Sequence, residues 1–197
     1  MAIERRLTAP AGYDPAANPS VCSFAAQLDD QLSSLKKTVA DLETQHLEWQ
    51  HHPGVNTIGM LLAHLAVVDI WWMRIAPREI PAEPEGEQIM QESIGIRMDD
   101  DGLPLAADGR HPASLAGRTL ADYLQMLDQA RAVTHSELRR WRDDDLATTY
   151  RLRDRIITRE WTVYHVLEHF CGHYGQIRLL KHWMVDEGVL PRVEAPR

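Results

Sequence analysis

Apolar residues recur at steps of three and four through most of this chain, and that spacing leaves little choice besides helices packed side by side. In the first periodic segment Phe24, Leu28, Leu32, Leu35, Val39 and Leu42 form one stripe, with Gln27, Asp30, Lys36 and Lys37 on the other side. Asn18, Pro19 and Ser20 supply start signals: Asn and Ser accept from free backbone N–H groups, and Pro suits a first helical position. A first helix is therefore expected from Ser20 to Gln50, broken by His51-His52-Pro53-Gly54. Asn56 offers an N-cap to a second helix with Ile58, Leu61, Leu65, Val68, Trp72 and Ile75 on one very apolar side, ended by Pro77 and Pro81. A third should begin near Arg118, with Leu120, Leu124, Leu127, Thr134, Leu138 and Trp141 inward and Asp143-Asp144-Asp145 terminating it. A fourth runs from about Thr158 to Glu187, closed by Gly188 and Pro191.

Between these helices the pattern is less regular. Tyr150, Leu152, Ile156 and Ile157 read as an extended piece or a small hairpin within Thr148 to Ile157. After the second helix Pro81, Pro84, Gly86, Pro104 and Gly109 mark turns, while Glu87 to Ile94 suits a short helix. Asp99-Asp100-Asp101-Gly102 lacks the alternating ligands and closing Glu of an EF-hand and reads as a solvated turn. The class implied is all-α: a four-helix bundle over residues 18–187, made of two-helix units joined by a long connection between helices 2 and 3. Residues 1–17 read as an N-terminal extension and 188–197 as a C-terminal tail.

Charge and composition narrow the function classes. A net charge of -8 argues against nucleic acid as a partner, since phosphate binding needs clustered Lys and Arg. The longest apolar stretch, Ile58 to Ala76, carries His64, Asp69 and Arg74, each expensive at a bilayer centre, so no membrane partner is expected. Met1 to Pro15 shows no apolar leader, and Cys22 and Cys171 form no disulfide framework. These features together make a cytoplasmic location the expectation.

Histidine placement carries the chemistry. His165, His169 and His173 follow at intervals of four on the fourth helix and so share one face, each about 40° from the last. They cannot all hold one ion, because His165 and His173 lie about 12 Å apart along the axis while zinc–nitrogen bonds are about 2 Å. Either His165 with His169 or His169 with His173 is the pair, and either needs a partner from another helix. His64, set in the apolar run Met60 to Ala66, is the candidate. The string His165-Val166-Leu167-Glu168-His169 also matches inverted zinc proteases, which need a downstream acidic ligand on another helix; only Asp186, Glu187 and Glu194 follow. Cys171, about 200° round from His169, points away from either pair and reads as a small buried side chain.

Two blocks now combine: Asn56-Thr57-Ile58-Gly59-Met60-Leu61-Leu62-Ala63-His64-Leu65, and Trp161 to His169 continued by Gly172-His173-Tyr174-Gly175-Gln176-Ile177. In order and spacing they resemble the DinB/YfiT-like superfamily, over most of the chain from Val21 to the end of helix 4. The resemblance implies an up-down-down-up four-helix bundle and a homodimer. It also implies a three-histidine site for one divalent metal, zinc or nickel, on His64, His169 and His173, with His165 as a neighbour lining the cavity. The segment after helix 2 is longer than a minimal member needs.

Three imidazoles leave at least one coordination position open, as in catalytic rather than structural sites. The resemblance favours activation of a low-molecular-weight thiol, as in thiol S-transferases and isomerases, so the expected partners are a small-molecule thiol and an electrophile. A metal-dependent hydrolase and a non-catalytic metal-binding stress-response protein are the alternatives. Glu168 lies about 100° from His169 and is not aimed at the metal; Gln176 suits either a hydrogen-bond partner of the site or a plain surface residue. Arg153, Arg155, Arg159 and Arg178 suit a solvated face or an anion-attracting one, and Tyr164, Tyr174, Trp71 and Trp72 read as core or interface.

Overall fold

In the computed structural model, residues 6–97 and 108–192 are described. The solvated turn expected at 99–102 and the turn at Pro104 lie outside them. Four long helices dominate: α1 (Pro19–Val39), α3 (Ile58–Ile70), α5 (Leu120–Leu138) and α6 (Arg159–Asp186). Short helices α2 (Thr44–Leu47) and α4 (Glu87–Ile94) lie between them, the latter where the sequence expected one. Strands β1 (Thr149–Leu152) and β2 (Arg155–Thr158) pair antiparallel, so the expected small hairpin forms just ahead of α6.

Helix α3 lies against α4, α5 and α6, and all 13 of its residues are buried. That corrects the expectation of one apolar side: neighbours on every flank leave α3 no solvent face. One contact sets how close they come, since a Cβ on Gly59 would stand 2.7 Å from the Tyr123 hydroxyl and 3.1 Å from the Leu47 carbonyl oxygen. Each fully buried aliphatic side chain contributes about 1.5–3 kcal/mol, so α3 anchors the core. The stretch Ile58–Arg78 is apolar and long enough by composition to cross a membrane, but 83% of its most apolar window is covered by the protein itself.

Several helix ends differ from expectation because distant residues make them. The first helix stops at Val39, well short of Gln50. Lys181 of α6 donates to the Thr38 carbonyl at 2.6 Å, occupying an acceptor that a longer helix would use. Glu43 then turns extended (φ -100°, ψ 168°), and its backbone N–H donates to His46 Nδ1 at 3.0 Å, opening α2. At the start of α1, Asn18 makes no side-chain cap. Asp143 supplies it, accepting from the Ser20 and Val21 N–H groups at 2.9 and 3.0 Å. Asp143 thus does not end the third helix, which stops at Leu138; it caps the first.

Thr57, not Asn56, caps α3, its hydroxyl accepting from Met60 N at 3.1 Å. Pro77 does not end the helical path at once either. A π-helical turn (Trp71–Ile75) and a 3₁₀ turn (Ala76–Arg78) carry it on, because Pro tolerates the first positions of a new turn, where no backbone N–H is needed. Arg74 and Arg78 from these turns both reach Glu137 near the end of α5, at 3.1 Å and 2.7–2.8 Å. Arg140 Nη1 stands 3.9 Å from the same carboxylate, and Glu137, though buried, keeps its charge among these three partners.

Candidate metal centre

Thr158 starts α6 by accepting from Trp161 N at 3.1 Å, which sets the rotation of the helix and the direction of its histidine row. Phe170, Ile177, Leu180 and Met184 pack into the main core, and Val163 and Val166 into a second cluster with α1 and Trp141. This face turns His169 and His173 toward α3. There, His64 sits 8% exposed within the apolar run Met60 to Ala66.

The three rings meet nitrogen to nitrogen. His64 Nε2 lies 2.9 Å from His169 Nε2, and His173 Nε2 lies 3.0 Å from the same atom. The candidate ligand atoms of all three fall within 4.8 Å of one another. A neutral imidazole offers one ring lone pair on its unprotonated nitrogen. His169 Nε2 cannot accept from two neighbours with that single pair, and protein hydrogen bonds alone account poorly for the cluster. Three lone pairs directed at one point fit a cation.

The electrostatics agree. Burial, with His173, His64 and His165 adding their repulsion, pushes the His169 imidazolium down to a pKa of about 3, so His169 is neutral at physiological pH. Its Nδ1 is buried and has no hydrogen-bond partner among the described residues. Gln176 Oε1 lies 2.7 Å from His173 Nδ1. An amide oxygen only accepts, so the proton sits on Nδ1 and the lone pair of Nε2 faces the cluster. Of the two readings the sequence left for Gln176, the structure favours the partner of the site.

His165 lies outside the group. Its ring stacks on Trp161 (4.7 Å between centroids, 8° between planes), and its Nδ1 lies 3.4 Å from Glu168, which therefore faces His165 rather than the cluster. The ring centroid of His165 is 5.9 Å from that of His169, so the two sites adjoin. His165 lines a cavity of about 440 Å³ with Trp71, Trp72, Trp161, Arg153 and Arg155. A larger groove, lined by Arg178, Lys181 and His182, does not include the cluster.

Two expectations need correction. Cys171 does point away from the histidines, but it is exposed rather than buried: the direction opposite the cluster is the solvent side of α6. Tyr164 is 52% exposed, which overturns the core reading and leaves the interface one. Tyr174 is half-buried against α1, its hydroxyl 2.8 Å from the Thr38 hydroxyl. Arg159 spreads over the Trp141 ring at 5.0 Å and is separate from the other two arginines of its cluster. Sequence alone assigns Asp69 only its cost in a membrane, Thr134 only an inward position on its helix and Arg131 nothing; these three form a buried polar group between α3 and α5. Arg131 also lies over the Phe170 ring at 5.4 Å, next to His169 in the chain.

A family model for the DinB superfamily matches residues 27–177. A conserved protein from Enterococcus faecalis, solved by crystallography, shares the fold with a TM-score of 0.62 at 15% identity, over 83% of this chain and 95% of its own. A DinB-like protein from Bacillus cereus gives a TM-score of 0.48 at 18% identity, over 87% of this chain and 96% of its own. No curated protein matches the chain.

Proposed function

The chain belongs to the DinB superfamily, and we propose that His64, His169 and His173 hold one divalent metal ion, zinc or nickel, in a thiol-dependent S-transferase or isomerase. The observation that carries this reading is the double approach to His169 Nε2, at 2.9 and 3.0 Å from two other imidazole nitrogens. His64, His169 and His173 would hold the ion, which would supply stabilisation of a bound thiol in its deprotonated form. The residues do the rest. Gln176 fixes the tautomer of His173, burial keeps His169 unprotonated, and the apolar flank of α3 around His64 excludes water.

The thiol route is preferred to hydrolysis because hydrolysis needs a general base. The cluster is three imidazoles with no carboxylate among its members, and Glu168 is turned to His165. A thiol is far more acidic than water from the start, so a bound metal would hold it as thiolate with its proton released to solvent. The same reading takes the four long helices as an up-down-down-up bundle, and the protein as a cytoplasmic homodimer.

The test is elemental analysis of untagged protein, followed by thiol consumption with a chloroaromatic electrophile in wild type and His64→Ala. We expect one divalent ion per chain. Activity should fall more than about 100-fold in the variant, beyond the range for partners that only orient a ligand. Stoichiometric metal with unchanged turnover in His64→Ala would remove the catalytic reading, and absence of metal would remove the site.

A further inference from the structure

We propose that the cavity beside the histidine cluster binds a planar aromatic anion, which is the electrophilic substrate of the site. Its walls are indole and imidazole. Trp161 and His165 stack in parallel, and Trp72 stands edge-on to both, 5.4 Å from Trp161 and 4.9 Å from His165, at 67° and 75°. Trp71 completes the lining from the π-helical turn, a kind of irregularity that recurs at functional sites. Flat rings lying at right angles offer both a face and an edge to another flat ring, the two arrangements aromatic pairs prefer.

Two arginines join the aromatic lining. Arg153 and Arg155 come from the turn and second strand of the hairpin, and neither makes a side-chain hydrogen bond or ion pair among the described residues. In this acidic chain Arg74, Arg78, Arg97, Arg110, Arg131 and Arg192 reach a carboxylate, whereas Arg153 and Arg155 leave their guanidinium groups for an incoming anion. Asp154 also lines the cavity, so an anion would sit against the two guanidinium groups and away from that carboxylate. Guanidinium forks match the planar geometry of a carboxylate.

Size and position favour a small substrate. A volume of about 440 Å³ lies in the range for small-molecule sites. The wall formed by His165 leads on to His169, 5.9 Å away between ring centroids, so a ring held here borders the cluster. Naming this anion the substrate rests on the metal reading given above; its binding does not.

Calorimetric titration with 1-naphthoate and with the neutral 1-naphthalenemethanol separates the two. Wild type should bind the naphthoate about tenfold more tightly, the equivalent of one well-placed charge contact, with the preference shrinking as salt is added. Arg153→Gln combined with Arg155→Gln should bring the two probes to equal affinity, with circular dichroism reporting an unchanged helical fold. His64→Ala should keep the naphthoate preference while losing metal. Equal affinity for the two probes in wild type would overturn the proposal, as would a preference that survives loss of both arginines. Naphthoate binding in a protein that holds no metal would leave the anion site standing and remove only the metal reading.

Discussion

Helix α3 buries two polar side chains five residues apart, and they have opposite fates. Asp69 turns to α5, where Arg131 Nη2 lies 3.3 Å from its carboxylate and the Thr134 hydroxyl donates to it at 3.3 Å. Donors meet an acceptor there, and the cation meets an anion. His64 turns to α6 and meets two more imidazoles. Like meets like there, and ligand atoms of all three lie within 4.8 Å of one another, a set that suits a cation. Burial alone therefore does not separate the two groups, since Asp69 is 4% and His64 8% exposed. The complementarity of the partners does.

The strongest way to break this contrast is to remove Asp69. Asp69→Ala leaves the Arg131 guanidinium buried without its counter-charge and should lower the unfolding free energy by about 3–5 kcal/mol, read from urea denaturation. Metal stoichiometry in the folded fraction should not change. A small stability loss with loss of metal would mean that Asp69 belongs to the centre and that the two groups are one.

Gln176 tests the other side of the contrast at smaller scale. Gln176→Ala frees the Nδ1 proton of His173 and should weaken metal affinity about 10–100-fold, measured by competition with a chelator. Because Gln176 is exposed, the stability of the metal-free protein should stay within about 0.5 kcal/mol of wild type. Unaltered affinity would show that the 2.7 Å contact is incidental.

The finest distinction is in pH. The His169 pKa is depressed in the folded protein to about 3, against 6.5 for the free side chain. The unfolded chain takes up this proton first as pH falls, so the stability contribution is whole above about 6.5 and drains away toward pH 3. Asp69 has the reverse sign: burial lifts its carboxyl above the usual range in spite of Arg131, so its share is greatest in acid and declines as pH rises. His169→Gln should therefore flatten the fall in melting temperature of metal-free protein between pH 7 and 5. The slope, not the absolute value, is the readout, because His169 is partly exposed and solvent screens it. Identical slopes for variant and wild type would show that His169 titrates in the folded state as it does in the unfolded one.

What the sequence made legible follows the range of each interaction. His64 stood out as one polar residue in an apolar run, and the four-residue spacing placed His169 and His173 on one face. The choice of that pair over His165 needed the family resemblance, because spacing treats both pairs alike. Helix interiors were legible too, since a repeating stripe is local. Helix ends were not: Val39 ends α1 with the help of Lys181, a residue more than 140 positions away that no local pattern announces. The match between Asp69 and Arg131 was hidden for the same reason, each lying on a different helix. The π-helical turn at Trp71 gives no signal in the order of residues, because it changes the pitch and not the composition.

The cap that Asp143 provides for α1 has a consequence for how the molecule comes into being on the ribosome. The amide groups of Ser20 and Val21 belong to the earliest of the four long helices to emerge, yet their acceptor is translated more than 120 residues later. Until then that end of the helix depends on water for its hydrogen bonds and frays readily. The last helix, which carries His169 and His173, follows only about 15 residues after Asp143. The earliest element and the latest thus mature together, and a nascent chain halted before this point holds His64 on α3 with neither of its counterparts yet made.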